Sequence, residues 1–122
     1  MYCEGYLWDL EEAKQAISDA MGIARDNGVT ASFTLSDSFA VDRQREEWLG
    51  LIADRVDLLF GNLDEVHSLL GTESFDQAVP KLRELSETVC VTKGLQGSAI
   101  ITPGDVITIP VCLLYTSDAA DE

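Results

Sequence analysis

Apolar positions recur along this chain with two periods, and the switches between them mark the elements. "MYCEGYLW" alternates and is rich in aromatics, the pattern of a strand. Asp9 then offers a helix N-cap, with Glu11 and Glu12 in the first turn. Ala13, Ala16, Ile17, Ala20, Ile23 and Ala24 follow at three- and four-residue spacing, which predicts one buried helix face. Gly28 is the expected stop. "VTASFTLS" reads as the next strand and "DSFAVDR" as an irregular connection. "RQREEWLGLIAD" predicts a second helix buried along Trp48, Leu49, Leu51 and Ile52. "VDLLF" is short and almost wholly apolar, as in a strand covered on both faces of a parallel sheet. "NLDEVHSLLG" predicts a short helix ending at Gly71. "ESFDQAVPKLREL" is helical in pattern, but Pro80 should kink or split it. "TVCVTKG" reads as another buried strand, "LQGS" as a turn, and "AIITPGDVITIP" as a hairpin.

Strands alternating with helices predict an α/β fold, a mostly parallel, Rossmann-like sheet flanked by helices and joined by right-handed crossovers. The 122 residues suffice for one domain with a real core. No internal repeat interrupts the pattern.

Composition narrows the partners. A hydrophobic share of 46% with 25% charged residues is that of a globular chain. The formal charge of −14 argues against nucleic acid and anionic membrane. It leaves room for a phosphate-bearing small molecule, which answers to local donors. No apolar run has the length of a membrane span, and the N-terminus has no basic, leader-like start, so a cytoplasmic protein is expected. Cys3, Cys90 and Cys112 share no metal-ligand spacing, and their odd number argues against a disulfide framework. His67, the single histidine, reads as a solvated helix residue.

Ligands of open α/β sheets bind beyond the carboxyl ends of the strands. Four polar clusters fall there: Trp8-Asp9, Ser36-Asp37, Gly61-Asn62 with Glu65, and Thr92-Lys93-Gly94 with Gly97. Asn62 and Glu65 lie three apart, neighbours in a first helical turn. A carboxylate there can hold a magnesium ion directly or through water, and an amide can bond a phosphate. The same two residues also make a capping box, with Asn in place of Ser or Thr. Thr92, Lys93, Gly94 and Gly97 bring a hydroxyl, an ammonium and two glycines that let backbone N–H groups approach a phosphate; an ordinary turn would use the same residues. Arg43 and Arg45 can pair with an anion or stand in the first turn of a solvated helix.

Taken in order, "EGYLWD", "TLSDSFAVDRQR", "VDLLFGNLDE" and "VTKGLQGSAI" resemble the ribokinase-like (PfkB) carbohydrate kinase family, and within it the adenosine-kinase-like bacterial members. The resemblance runs from Tyr2 to about Val111 and implies phosphoryl transfer from ATP to a hydroxymethyl group of a sugar or nucleoside. It implies that Asn62 and Glu65 match the family's Asn-x-x-Glu motif, which shapes the magnesium and phosphate environment. It also implies that Thr92, Lys93, Gly94 and Gly97 line the nucleotide phosphates, mostly through backbone groups. The family's glycine motifs for the acceptor precede the first strand here, and its Gly-Ala-Gly-Asp motif, which carries the general base, follows the hairpin. On that reading no residue of this chain is the catalytic base, and residues 1–111 are the central part of a kinase domain, inactive alone. The other reading is a non-catalytic α/β module that binds a nucleotide or a protein.

The ending "CLLYTSDAADE" leaves the family pattern. Back-translated, it resembles a transposase adapter end used in sequencing libraries. Residues 112–122 are therefore expected to be a non-native tail, with the natural frame continuing past about Val111 and Met1 lying inside it. A natural polar tail is the alternative.

Overall fold

The computed structural model describes residues 1–36 and 38–111, except for the side chains of Tyr6, Asp9, Ser38 and Phe39. The expected tail, Cys112 to Glu122, and Asp37 lie outside the described residues.

Six strands form one sheet: β1 (Tyr2–Glu4), β2 (Ser32–Thr34), β3 (Leu58–Asn62), β4 (Thr88–Thr92), β5 (Ser98–Ile101) and β6 (Val106–Ile109), adjacent in that order. The first four are parallel, and β5 and β6 add antiparallel as a hairpin. Four helices connect them: α1 (Glu11–Asp26), α2 (Ser38–Arg55), α3 (Leu63–Leu70) and α4 (Phe75–Leu85). The expectation of an α/β fold with a mostly parallel sheet and a terminal hairpin holds.

Consecutive strands are immediate neighbours, so right-handed crossovers bring all four helices to one face. One row of side chains across the sheet shows this. Cys3, Phe33, Leu59, Val89 and Ile101 are in register and buried beneath the helices. The alternate row runs Glu4, Thr34, Phe60, Cys90, Ile100 and Ile107, and each of its residues is half-buried or exposed. The side-chain period of two in a strand separates these faces.

The covered face holds the core. Phe33 and Trp48 meet edge to face, with ring centroids 5.2 Å apart and planes at 82°. Burying a side chain of that size contributes about 1.5–3 kcal/mol. Met21, Leu35, Ile52, Leu69 and Leu82 fill the space around the pair.

Several expectations are corrected. The first strand stops at Glu4, and Gly5–Asp9 form a 3-10 turn. A Cβ on Gly5 would meet the Trp48 ring at 2.5 Å, so the chain bends where only glycine lets it pass over that indole. Helix α1 starts one residue beyond the expected cap: Leu10, not Asp9, is the N-cap. Its buried face is Ile17, Met21 and Ala24, whereas Ala16 and Ile23 face outward. A strict 3.6-residue period selects 17, 21 and 24 and rotates 16 and 23 off the stripe. "DSFAVDR" is not a loop throughout: α2 already begins at Ser38, so Arg43 and Arg45 lie beyond its first turn. Before it, Ser36 takes a left-handed φ of 74° to turn the chain out of β2. Helix α4 runs unbroken through Pro80. That proline is exposed, as is Asp76 one turn earlier, so water can serve the carbonyl that loses its N–H partner.

Candidate functional site at the carboxyl edge

Parallel pairing of β3 with β4 sets Asn62 opposite Thr92. Two of the four polar clusters thereby become one site. Asn62, Leu63, Asp64, Thr92, Lys93, Gly94 and Gln96 line a cavity of about 460 Å³. Among the described residues, larger hollows of about 560 Å³ and 590 Å³ lie at the amino ends of the strands and along α2. Position rather than size selects the first, because carboxyl strand ends are where open α/β sheets place ligands.

Each side of the cavity has a local cause. Asn62 leaves β3 with extended dihedrals and caps α3. Its side-chain oxygen accepts the Glu65 N–H at 2.8 Å, and Glu65 Oε1 accepts the Asn62 N–H at 2.9 Å. The capping box is therefore formed. Gly61, just before it, lies against Leu35: a Cβ there would come 2.8 Å from a Leu35 methyl. Arg45 on α2 donates to the Ser68 carbonyl of α3, and His67 Nδ1 lies 2.8 Å from the Thr72 hydroxyl. Both brace α3. His67 is thus a partly buried structural partner rather than a solvated residue, and Arg45 is not aimed at the cavity.

On the β4 side, the Lys93 N–H donates to the Gly97 carbonyl at 2.7 Å, and Gln96 and Gly97 donate back to Lys93 and Gly94. The turn is closed by its own backbone. Gly94 and Gly97 both have positive φ, 58° and 88°. Among the described residues, the amides of Gly94 and Leu95, at the start of this turn, donate to no protein acceptor. Such N–H groups suit an anion. The Lys93 ammonium sits 4.4 Å from the centroid of the Phe75 ring, at the start of α4.

Glu65 is buried, at 6% exposure, behind the cavity rather than in its lining. One of its oxygens is engaged by the cap, and no group of three potential metal ligands occurs among the described residues. This donor set does not make a protein cage for a metal. An ion such as Mg²⁺, which keeps several waters and takes much of its coordination from phosphates, asks for no such cage.

Of the remaining clusters, Trp8 and Ser36 are not among the residues that line the cavity. Trp8 is buried, and its indole N–H donates to Glu47 Oε2 at 2.7 Å. That bond, then a Lys14 contact, pulls the Glu47 carboxyl below its ordinary range. Ser36 turns the end of β2, and Asp37 lies outside the described residues. Burial raises the thiols of Cys3 and Cys90, which behave as small hydrophobes. Leu63, Asp64 and Gln96 also line the cavity, although sequence reasoning assigned none of them to the site; each is next to a residue it did assign.

No family model matches the sequence, and no curated protein matches it. Solved structures do. Adenosine kinase from Sinorhizobium meliloti is 38% identical, with a TM-score of 0.89 over 94% of this chain and 36% of that one. A probable sugar kinase from Rhizobium etli CFN 42 is 38% identical, with a TM-score of 0.87 over 91% of this chain and 34% of that one. The chain belongs to the ribokinase-like, or PfkB, kinase family. Aminoimidazole riboside kinase from Salmonella enterica shares the fold of this PfkB-family chain at 21% identity, with a TM-score of 0.79 over 91% of this chain and 39% of that one. The PfkB-family chain spans about a third of the length of these kinases. Among its described residues no helix is long and apolar enough to cross a membrane.

Proposed function

We propose that this chain is the nucleotide-phosphate side of an ATP-dependent kinase whose acceptor is a hydroxymethyl group of a sugar or nucleoside. The observation that carries the reading is the register of β3 with β4, which joins the Asn62 cap and the Thr92–Gly97 turn around one cavity. Phosphoryl transfer asks a protein mainly for positioning and charge neutralisation. The free amides of Gly94 and Leu95, the Thr92 hydroxyl and the Lys93 ammonium offer donors to polyphosphate. Asn62 and Glu65 would hold Mg²⁺ through water, and the ion would neutralise phosphate charge when bound. The acceptor class comes from the two similar kinases, named for adenosine and for sugar. Residues 1–111 form the central part of the kinase domain and residues 112–122 a non-native tail. The setting is cytoplasmic, with neither nucleic acid nor membrane as partner, as the charge of −14 favours.

Among the described residues Asp64 is the one carboxylate in the lining, and it is the exposed second residue of α3. The chain is therefore expected to bind MgATP without turning it over. Thermal unfolding with and without millimolar MgATP tests the reading. Ligand at about 10 times its Kd stabilises by about 1.4 kcal/mol, a rise of a few degrees. No rise removes the nucleotide site. Phosphorylation of ribose, fructose or adenosine by these 122 residues alone would overturn the division of labour. The second reading, a non-catalytic nucleotide- or protein-binding module, is favoured by the same shortage of lining carboxylates. It predicts binding with no acceptor chemistry even when the gene is extended in both directions.

A further inference from the structure

Phe75 lies outside the cavity's lining, and among the described residues the one lining cation is Lys93. Its ammonium lies over the Phe75 ring, 4.4 Å from the centroid. Most other cations of the chain have oxygen partners: Lys14 with Glu11 and Glu47, Arg45 with Ser68, Arg55 with Ser18, Arg83 with Thr102. Asp64 lines the same cavity, yet no ion pair joins it to Lys93 among the described residues. The charge is therefore held beside an anion-suited cavity by a ring quadrupole, a contact weaker than one to phosphate.

We propose that Phe75 is a positioning residue that parks the Lys93 ammonium while the cavity is empty, and that polyphosphate draws the lysine off the ring. This rests on the nucleotide reading above. The parked and the phosphate-facing lysine are two states of one side chain. A ligand that meets only the second must displace the first, so parking lowers apparent affinity. Phe75 packs against the core edge, and leucine at that position keeps the apolar contact without the quadrupole. The consequence has an unusual sign: removing the ring strengthens binding.

Inorganic tripolyphosphate is the probe, titrated into the 122-residue chain with isotope-labelled lysine and followed by NMR. Protons above a ring are shifted upfield, so the Lys93 ε-methylene reports parking directly. It is expected upfield in the free chain and should move to the ordinary lysine position as the Gly94–Gly97 amides titrate. Phe75→Leu should start at the ordinary position and tighten binding by roughly two- to fivefold. Lys93→Met should weaken it by roughly fivefold or more, and the double variant should match Lys93→Met. Phe75→Tyr keeps a ring and should behave as the parent chain. If the loop amides saturate while the lysine stays upfield, or if Phe75→Leu weakens binding, the parking idea is overturned and the nucleotide site stands. An unshifted methylene in the free chain overturns it as well. If neither tripolyphosphate nor MgATP saturates any signal at millimolar concentration, both readings fall.

Discussion

A β-carbon on Gly97 would sit 2.0 Å from the carbonyl oxygen of Ile109. The turn that follows β4 is thus wedged against the end of β6, and this turn and the terminal hairpin share a backbone contact. Gly97→Ala should cost about 3 kcal/mol or more, since it combines a left-handed φ with a clash that backbone must relieve. Gly94→Ala meets no atom within 4 Å and carries only the cost of its φ of 58°, about 1 kcal/mol. Gly104→Ala has open space and no positive φ, so it should lie within about 0.5 kcal/mol of the parent. Urea midpoints of the three variants give the ranking, and a mild Gly97→Ala would show that the hairpin is not seated there.

The Asn62–Glu65 box caps α3, and on the proposed function it has a second job that mutations can separate from the first. Asn62→Ala should destabilise by about 1 kcal/mol, the usual cost of losing a cap. Glu65→Gln keeps an acceptor for the Asn62 N–H and should cost less, while removing the negative charge near the phosphate side. On the proposed function, Glu65→Gln therefore lowers the magnesium dependence of ATP binding more than it lowers Tm. Calorimetric titrations with and without Mg²⁺ measure the first effect and thermal scans the second. A Glu65→Gln chain with unchanged magnesium dependence would leave only the cap.

Glu47 makes a pH prediction with a definite sign. Its carboxyl is held below the ordinary value of 4.5 by the Trp8 indole N–H and by Lys14. A depressed native pKa stabilises the fold fully above 4.5 and loses that contribution as pH falls through the native value. Glu47→Gln should therefore lower Tm at neutral pH, and the gap to the parent should close in acid below pH 4.5. The group is half-exposed, so the gap is small and shrinks with salt. A gap constant from pH 7 to about 3 would mean that the tie is packing rather than charge.

The row Phe60, Cys90, Ile100 and Ile107 is apolar, crosses four strands and, among the described residues, has no helix over it. Exposed apolar area of this kind binds hydrophobic dyes and promotes association. The chain should bind anilinonaphthalene sulfonate in its folded state. Ile107→Thr keeps a β-branched residue on the outer strand and should change stability by no more than about 0.5 kcal/mol while lowering dye binding. Equal fluorescence from both chains would mean that this face is covered in solution.

The sequence alone determined the element order, the α/β class and the capping box at the end of β3. These rest on local physics: periods of 2 and 3.6, glycine stops, and a cap whose partners are three residues apart. The family resemblance was legible for the same reason, since its motifs are contiguous. Where a boundary depended on a distant contact, local signals failed. The first strand ends at Glu4 because Gly5 must pass over Trp48, and α2 starts at Ser38 although "DSFAVDR" lacks a clear stripe. Pro80 stays within α4 because its face is solvent.

Only the tertiary structure decided which polar ends meet. Asn62 and Thr92 are thirty residues apart and become partners through strand register, while Trp8 turns inward to Glu47. The parking of Lys93 on Phe75 was equally invisible, because no sequence period links a turn after β4 to the start of α4. One-sided winding is also a product of strand order, which periodicity does not encode. Among the described residues it packed all four helices on one face of the sheet and none on the other.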